Sequence, residues 1–166
     1  MDESGAKTDL TRSHGRAPPG ERVVDRVPQE NWKVLTLLGA LSLEGMIAGA
    51  SVEAATDQAI FQSFVREVLL PQLHAGDVVL WDNLPAHRIP ALKQLLRQVG
   101  ARLLPLPPYS PDLCPMEPAW SKIKQYLRSV KPRTGPTLRN AVAKAYVTVT
   151  AKDAKGWFRL CGYRVR

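Results

Sequence analysis

Cysteine is almost absent from this chain. Cys114 and Cys161 are the only two in 166 residues. They form no CxxC pair and no metal-spaced cluster, which excludes a disulfide framework and a zinc site of the common patterns. Histidine is scarce too: His14, His74 and His87 are scattered, with no HxxxH. Long apolar runs are missing, so no stretch suits a bilayer span. Residues 1–22 lack the apolar centre of a signal peptide. A reduced, soluble, intracellular setting is expected. Acidic residues are in deficit, 15 Asp plus Glu against 23 Lys plus Arg, for a net charge of +8. That excess suits a polyanionic partner, because Lys and Arg release counterions when they pair with phosphates. A basic protein with no such partner has the same composition.

What is present suffices for one domain with a core. Residues 5–20 are rich in Gly, Pro, Ser, Thr and Arg and read as a loop. "WKVLTLLGALSLEGMIAGASVE", 32–53, reads as two or three adjacent strands with a tight turn near "LEG". "TDQAIFQSFVREVLLPQL" reads as a helix with Thr56 as N-cap and Ile60, Phe64, Val68 and Leu69 on one side. "GDVVLWDN" suits a strand buried on both faces. "IPALKQLLRQVG" is a helix with Pro90 in its first turn and Gly100 at its end. "ARLLPLPP" is a short strand that Pro105 pushes toward an edge. "MEPAWSKIKQYLRSV" is a helix with the stripe Met116, Trp120, Ile123, Leu127 and Val130. A last helix is expected from Thr137 to about Val149, followed by a weakly patterned tail. Strands first, then helix, strand, helix, strand, helix, is a mixed α/β layer order.

Three carboxylates draw notice. Asp82 ends the predicted central strand, at the edge where open α/β sheets bind ligands. An Asp there, or Asn83, equally caps the next helix. Glu117 is rotated off the apolar stripe, on a face shared with Ser121, Lys124 and Arg128. A Glu in the first turn of any helix is electrostatically favoured. It also becomes a partner for Asp82 if the loop "PPYSPDLCP" delivers the helix beside the strand end. Asp2, in "MDESG", is uninformative alone.

Together, "MDESG", "TRSHGRAPPGERV", "VLWDNLPAHR" and "LPPYSPDLCPMEPAWSKIKQYLR" resemble transposases of the insertion sequence six-thirty family. That family lies in the mariner-like branch of the DDE superfamily. The resemblance covers nearly the whole chain, and "YSPDLCPMEPAW" is its most specific block. The 34 residues between Asp82 and Glu117 match the branch's common spacing. Cys114 and Met116 depart from the family's Asn and Ile, and the first change loses an amide that could brace the loop.

The resemblance implies an α/β fold of the ribonuclease H-like kind, a mixed sheet flanked by helices. It implies a DDE core over 1–131 and a C-terminal helical tail of the same domain over 132–166. The metal-binding, catalytic carboxylates fall on Asp2, Asp82 and Glu117. Phosphodiester cleavage needs an activated nucleophile and a stabilised leaving oxygen, which two Mg²⁺ ions roughly 3.5–4 Å apart supply. Mg²⁺ takes hard oxygen ligands, and Mn²⁺ substitutes. Asp82 would bridge both ions, with Asp2 and Glu117 completing one each. Arg12, Arg16, Arg22, His87, Lys122, Lys124 and Arg128 are the expected DNA contacts, which fix register and not sequence. Partners implied are DNA (element ends and target) and a second copy in a synaptic homodimer. The setting implied is bacterial cytoplasm, at the nucleoid.

The first strand is expected to be largely missing, since little precedes Asp2. The family's upstream helix-turn-helix is expected to be missing too, as in one frame of a split gene or a truncated remnant. The alternative function is then an inactive, basic DNA-binding relic.

Overall fold

In the computed structural model, residues 1–29, 33–82 and 90–165 are described. Trp32, Asn83, Pro85 and His87 lie outside them. Three antiparallel strands form one sheet in the order β1-β2-β3: β1 (Asp2–Lys7), β2 (Val34–Ser42) and β3 (Gly45–Val52). The chain then enters α1 (Gln58–Ser63), which widens into a π-helical turn at Phe64–Leu69 and tightens into a 3₁₀ turn at Leu70–Gln72. A parallel pair follows, β4 (Val78–Trp81) and β5 (Arg102–Pro105), joined through α2 (Pro90–Gln98). Three helices close the chain: α3 (Met116–Val130), α4 (Gly135–Val147) and α5 (Ala151–Leu160).

The period-2 pattern of β2 creates two cores. Leu35 and Leu37 face α3 and α4, where they meet Ile123, Leu127, Leu138 and Val142. Leu38 and Ala40 face the other way, toward Phe61, Phe64, Val65, Trp81 and Leu92. Helices therefore cover both faces of the strands, and residues 132–166 add Leu138, Val142, Ala145 and Val149 to the same core as α3.

Several expectations change. The first strand is not absent: β1 runs six residues from Asp2, each paired with β2 from Asp2↔Gly39 to Lys7↔Val34. The loop accordingly starts after Lys7. Asp57, not Thr56, caps α1, its carboxylate accepting from the Ile60 N–H at 2.8 Å. β4 is covered mainly on the side of Val79 and Trp81, while Val78 stays 45% exposed. Val130 falls off the end of the α3 stripe, at 46% exposure. α4 starts at Gly135, where Thr134 and Thr137 form a capping box. The tail holds α5, with its own capping box of Thr150 and Asp153. Threonine followed three residues later by Asp was the missed signal.

Tyr146 of α4 fastens this helix to the strands. Its hydroxyl lies 3.2 Å from the Leu38 carbonyl and 3.1 Å from that of Ala50, one O–H shared between β2 and β3. Gly49 makes this possible, since a Cβ there would stand 2.4 Å from the Tyr146 ring. Tyr146→Phe should lower unfolding free energy by about 1 kcal/mol, read from urea denaturation, because two part-buried carbonyls lose this donor. Gly49→Ala should cost more, because the ring itself must move.

Candidate active site

β1 places Asp2 at its first position, opposite Gly39 of β2. Gly39 is a contact of necessity: an added Cβ would meet the Trp120 ring at 2.9 Å and the Met46 and Met116 methyl groups at 2.8 and 3.0 Å. With no side chain there, Trp120 of α3 lies across β2, and its indole N–H donates to Asp2 Oδ2 at 2.9 Å. Trp120 is core by burial, as its spacing suggested. Its hydrogen bond to a carboxylate 118 residues away was not visible in the sequence.

Burial pushes the Asp2 carboxyl above its ordinary value of 3.8. The Glu3 backbone N–H and the Trp120 indole oppose that shift, while the negative charge of Glu117 adds to it. Asp2 and Glu117 are thus brought within electrostatic reach by α3. Glu117 sits in its first turn, exposed, with its backbone N–H bonded to Cys114 O at 3.1 Å. Asp82 follows the last residue of β4 and is half-buried. Its charge and that of Asp2 both act on the buried Met1 ammonium, which donates to Leu80 O at 2.6 Å. The helix-cap reading of Asp82 concerns residues 83–89, outside those described.

Cys114 closes the loop ahead of α3. Burial first, then the Asp2 charge, push its thiol up to about 11, so it stays a neutral thiol at physiological pH. The loop is braced from outside: the Tyr163 hydroxyl donates to Leu113 O at 2.7 Å. That residue belongs to the tail the sequence left unpatterned.

The basic residues divide. Lys122 turns toward α5 and pairs with Asp153 at 2.5 Å, holding that carboxyl down at about 2. It bridges the two helices. Lys124 and Arg128 stay on the Glu117 face, half-buried. Arg12 and Arg16 line a surface cavity of about 460 Å³ with His14 and Lys131, and Arg22 is exposed nearby in sequence. Arg133 anchors this loop by donating to Thr8 O and Leu10 O at 2.8 and 2.9 Å. His87 is outside the described residues.

For a metal, the donor set is suitable in kind: hard carboxylate oxygens, with one acid held up by burial and by another acid's charge. A cation between them would relieve both costs. Among the described residues, no three His, Cys, Asp or Glu side chains are gathered into a metal-holding group. No helix among them is long and apolar enough to cross a membrane.

A family model of DDE superfamily endonucleases matches residues 1–139. No curated protein matches the chain. Among solved structures, the Mos1 transposase paired-end complex with left transposon end is similar at a TM-score of 0.71 and 17% identity, over 97% of this chain and 50% of that one. The Mos1 strand transfer complex follows at 0.63 and 18%, over 97% and 49%. The Mos1 mariner paired end complex with Mn stands at 0.60 and 15%, over 97% and 51%. At such identities the likeness is one of fold, here ribonuclease H-like. The chain spans about half the length of these proteins.

Burial raises the Asp2 carboxyl, so the folded state prefers it protonated. Its stability contribution is therefore full below its unfolded value of 3.8 and is lost as pH rises through the folded value. In metal-free buffer, Asp2→Asn should melt roughly 3 °C higher than the parent at pH 7. That gain should vanish near pH 3, in thermal scans across the range. An Asn that melts lower at pH 7 would overturn the sign.

Proposed function

The chain belongs to the DDE superfamily endonucleases, and from that membership we propose that it is the catalytic domain of a mariner-like transposase of the insertion sequence six-thirty kind. Its reaction is DNA strand cleavage followed by strand transfer. The observation that carries this reading is the match of residues 1–139 to the DDE superfamily endonucleases. Supporting it, the Glu117 charge acts on Asp2, and the charges of Asp2 and Asp82 act on the Met1 ammonium.

In cleavage, water attacks a phosphorus, the P–O bond to the 3′ oxygen breaks, and that oxygen leaves as a 3′-hydroxyl. In transfer, that hydroxyl attacks a target phosphorus and releases a target 3′-hydroxyl. Asp2, Asp82 and Glu117 would hold divalent metal, which activates the nucleophile and stabilises the leaving oxygen. Mg²⁺ or Mn²⁺ suits these donors, and two ions fit the chemistry. The fold relatives include a Mos1 complex with Mn.

The chain's own groups perform the rest. Trp120 and the Glu3 backbone N–H fix the Asp2 carboxylate, leaving its remaining lone pairs for a cation. Glu117, on the exposed first turn of α3, presents its carboxylate at the helix's positive end. Lys124 and Arg128 extend that face and supply phosphate contacts, as do Arg12, Arg16 and Arg22 from the loop after β1. A synapse of two element ends calls for two copies of the chain.

The test is nicking and joining of DNA carrying the element's ends, with Mg²⁺ or Mn²⁺. Asp82→Asn and Glu117→Gln should each lower the rate at least about 100-fold while leaving DNA binding in place. Undiminished activity in either variant would sink the assignment. Binding without cleavage by the parent chain would favour the relic. Lys124→Ala and Arg128→Ala should weaken binding about equally for all sequences and reduce the salt slope by roughly 1 each. Lys122→Ala should instead lower Tm, because its partner is Asp153.

A further inference from the structure

Several cations of this chain have partners. Lys122 pairs with Asp153, Lys131 with Asp25 and Arg139 with Glu53. Lys93 and Arg97 of α2 and Arg102 of β5 are exposed and make no ion pair among the described residues. Together with Leu103 and Pro105 they line a cavity of about 270 Å³, and no acid among the described residues lines it. Lys93 and Arg97 stand four residues apart on one helix, where like charges repel. Asp77 lies beside Arg102, its carbonyl accepting the Arg102 N–H at 2.8 Å. Its carboxylate, however, accepts from the His74 N–H at 2.8 Å. The gathered charge is a cost that an anion in the cavity removes.

β4 and β5 run parallel, from Val78↔Arg102 to Trp81↔Pro105. Three steps of strand carry the cavity roughly 10 Å, from Arg102 to Pro105. Pro105 stands opposite Trp81, the residue before Asp82. The Leu106 N–H bonds Trp81 O at 2.8 Å and fixes the start of the next loop at that same end. Three residues on, Tyr109 takes a φ of 54°, a left-handed conformation that side chains disfavour. Its ring is fully exposed and has no ring partner among the described residues. A strained backbone therefore holds an aromatic ring out into water, where it buries nothing within the chain.

We propose that these features form one track for an unpaired DNA strand. Its phosphates lie along Lys93, Arg97 and Arg102, and a base stacks on Tyr109 as the strand passes the end of β4. A cationic groove joined to a stacking ring is the means by which proteins hold single strands. A duplex would satisfy the cations, but its base faces are covered by neighbouring pairs, and Tyr109 would stay bare. The track is separate from the loop after β1 and from the Lys124 face of α3. It rests on the reading of DNA as substrate given above.

The experiment measures binding by the full chain in EDTA, across a salt series. The probes are a single-stranded oligonucleotide carrying a fluorescent adenine analogue, whose emission stacking quenches, and its duplex. Lys93→Ala, Arg97→Ala and Arg102→Ala combined should weaken single-strand binding at least about tenfold and flatten the salt slope by roughly 2. Lys144→Ala, Lys152→Ala and Lys155→Ala combined remove the same charge from α4 and α5 and should leave both nearly unchanged. Tyr109→Ala should weaken single-strand binding about tenfold, restore the emission and leave the salt slope alone, while Tyr109→Phe should keep the quenching. Equal losses in the two triple variants would reduce the effect to net charge and overturn the track. A loss as large on duplex, with Tyr109→Ala silent, would overturn the single strand as its occupant. Because binding is read without metal, failure to nick counts against the function proposed above, and undiminished binding by the variants counts against the track alone.

Discussion

The carboxylate of Asp2 is held out of bulk water between β2 and α3, and the indole N–H of Trp120 at 2.9 Å holds it there. Desolvating a carboxylate is costly unless donors replace the lost water. Here the replacements are that indole and the Glu3 backbone N–H. The indole can reach only because Gly39 offers no side chain beneath it. Trp120 is positioned because α3 lays Met116, Trp120, Ile123 and Leu127 on the strands as one buried stripe. The same rotation that buries the stripe leaves Glu117 exposed at the helix start, one position from Met116. One packing decision therefore sets both acids.

That arrangement costs the folded chain stability. An acid raised by burial, with a second acid's charge nearby, is a poor choice for a folded protein alone and a good one for a cation site. The loop before α3 receives support from outside itself, through the Tyr163 hydroxyl on Leu113 O. Lys122 ties α5 to α3 through Asp153. Residues 132–166 thus act on the site without containing any of its acids. They hold α3, and α3 holds Glu117 and Trp120.

Much of this was legible. The period-3.6 stripe located α3 at its observed ends, and the apolar run before Asp82 located β4. Local patterns serve there because burial of one face repeats along the element. Asp57 displaced Thr56 as cap because two adjacent residues compete for one backbone N–H, and only geometry chooses between them. α5 was missed because its apolar residues mark no buried stripe: Ala154 alone among them is fully buried, and the capping box was the clearest mark. Lys122 was grouped with Lys124 by proximity in sequence, although two steps along a helix turn a side chain to another face.

By itself, the sequence determined which residue types are on offer: three candidate acids, a basic excess, and helices and strands in an α/β order. It did so because donor type and periodicity are local properties. Only the tertiary structure decided that Trp120 serves Asp2 and that Lys122 serves Asp153. Those outcomes depend on where one element comes to rest on another. That is set by the summed packing of two cores, and no short stretch of sequence contains it.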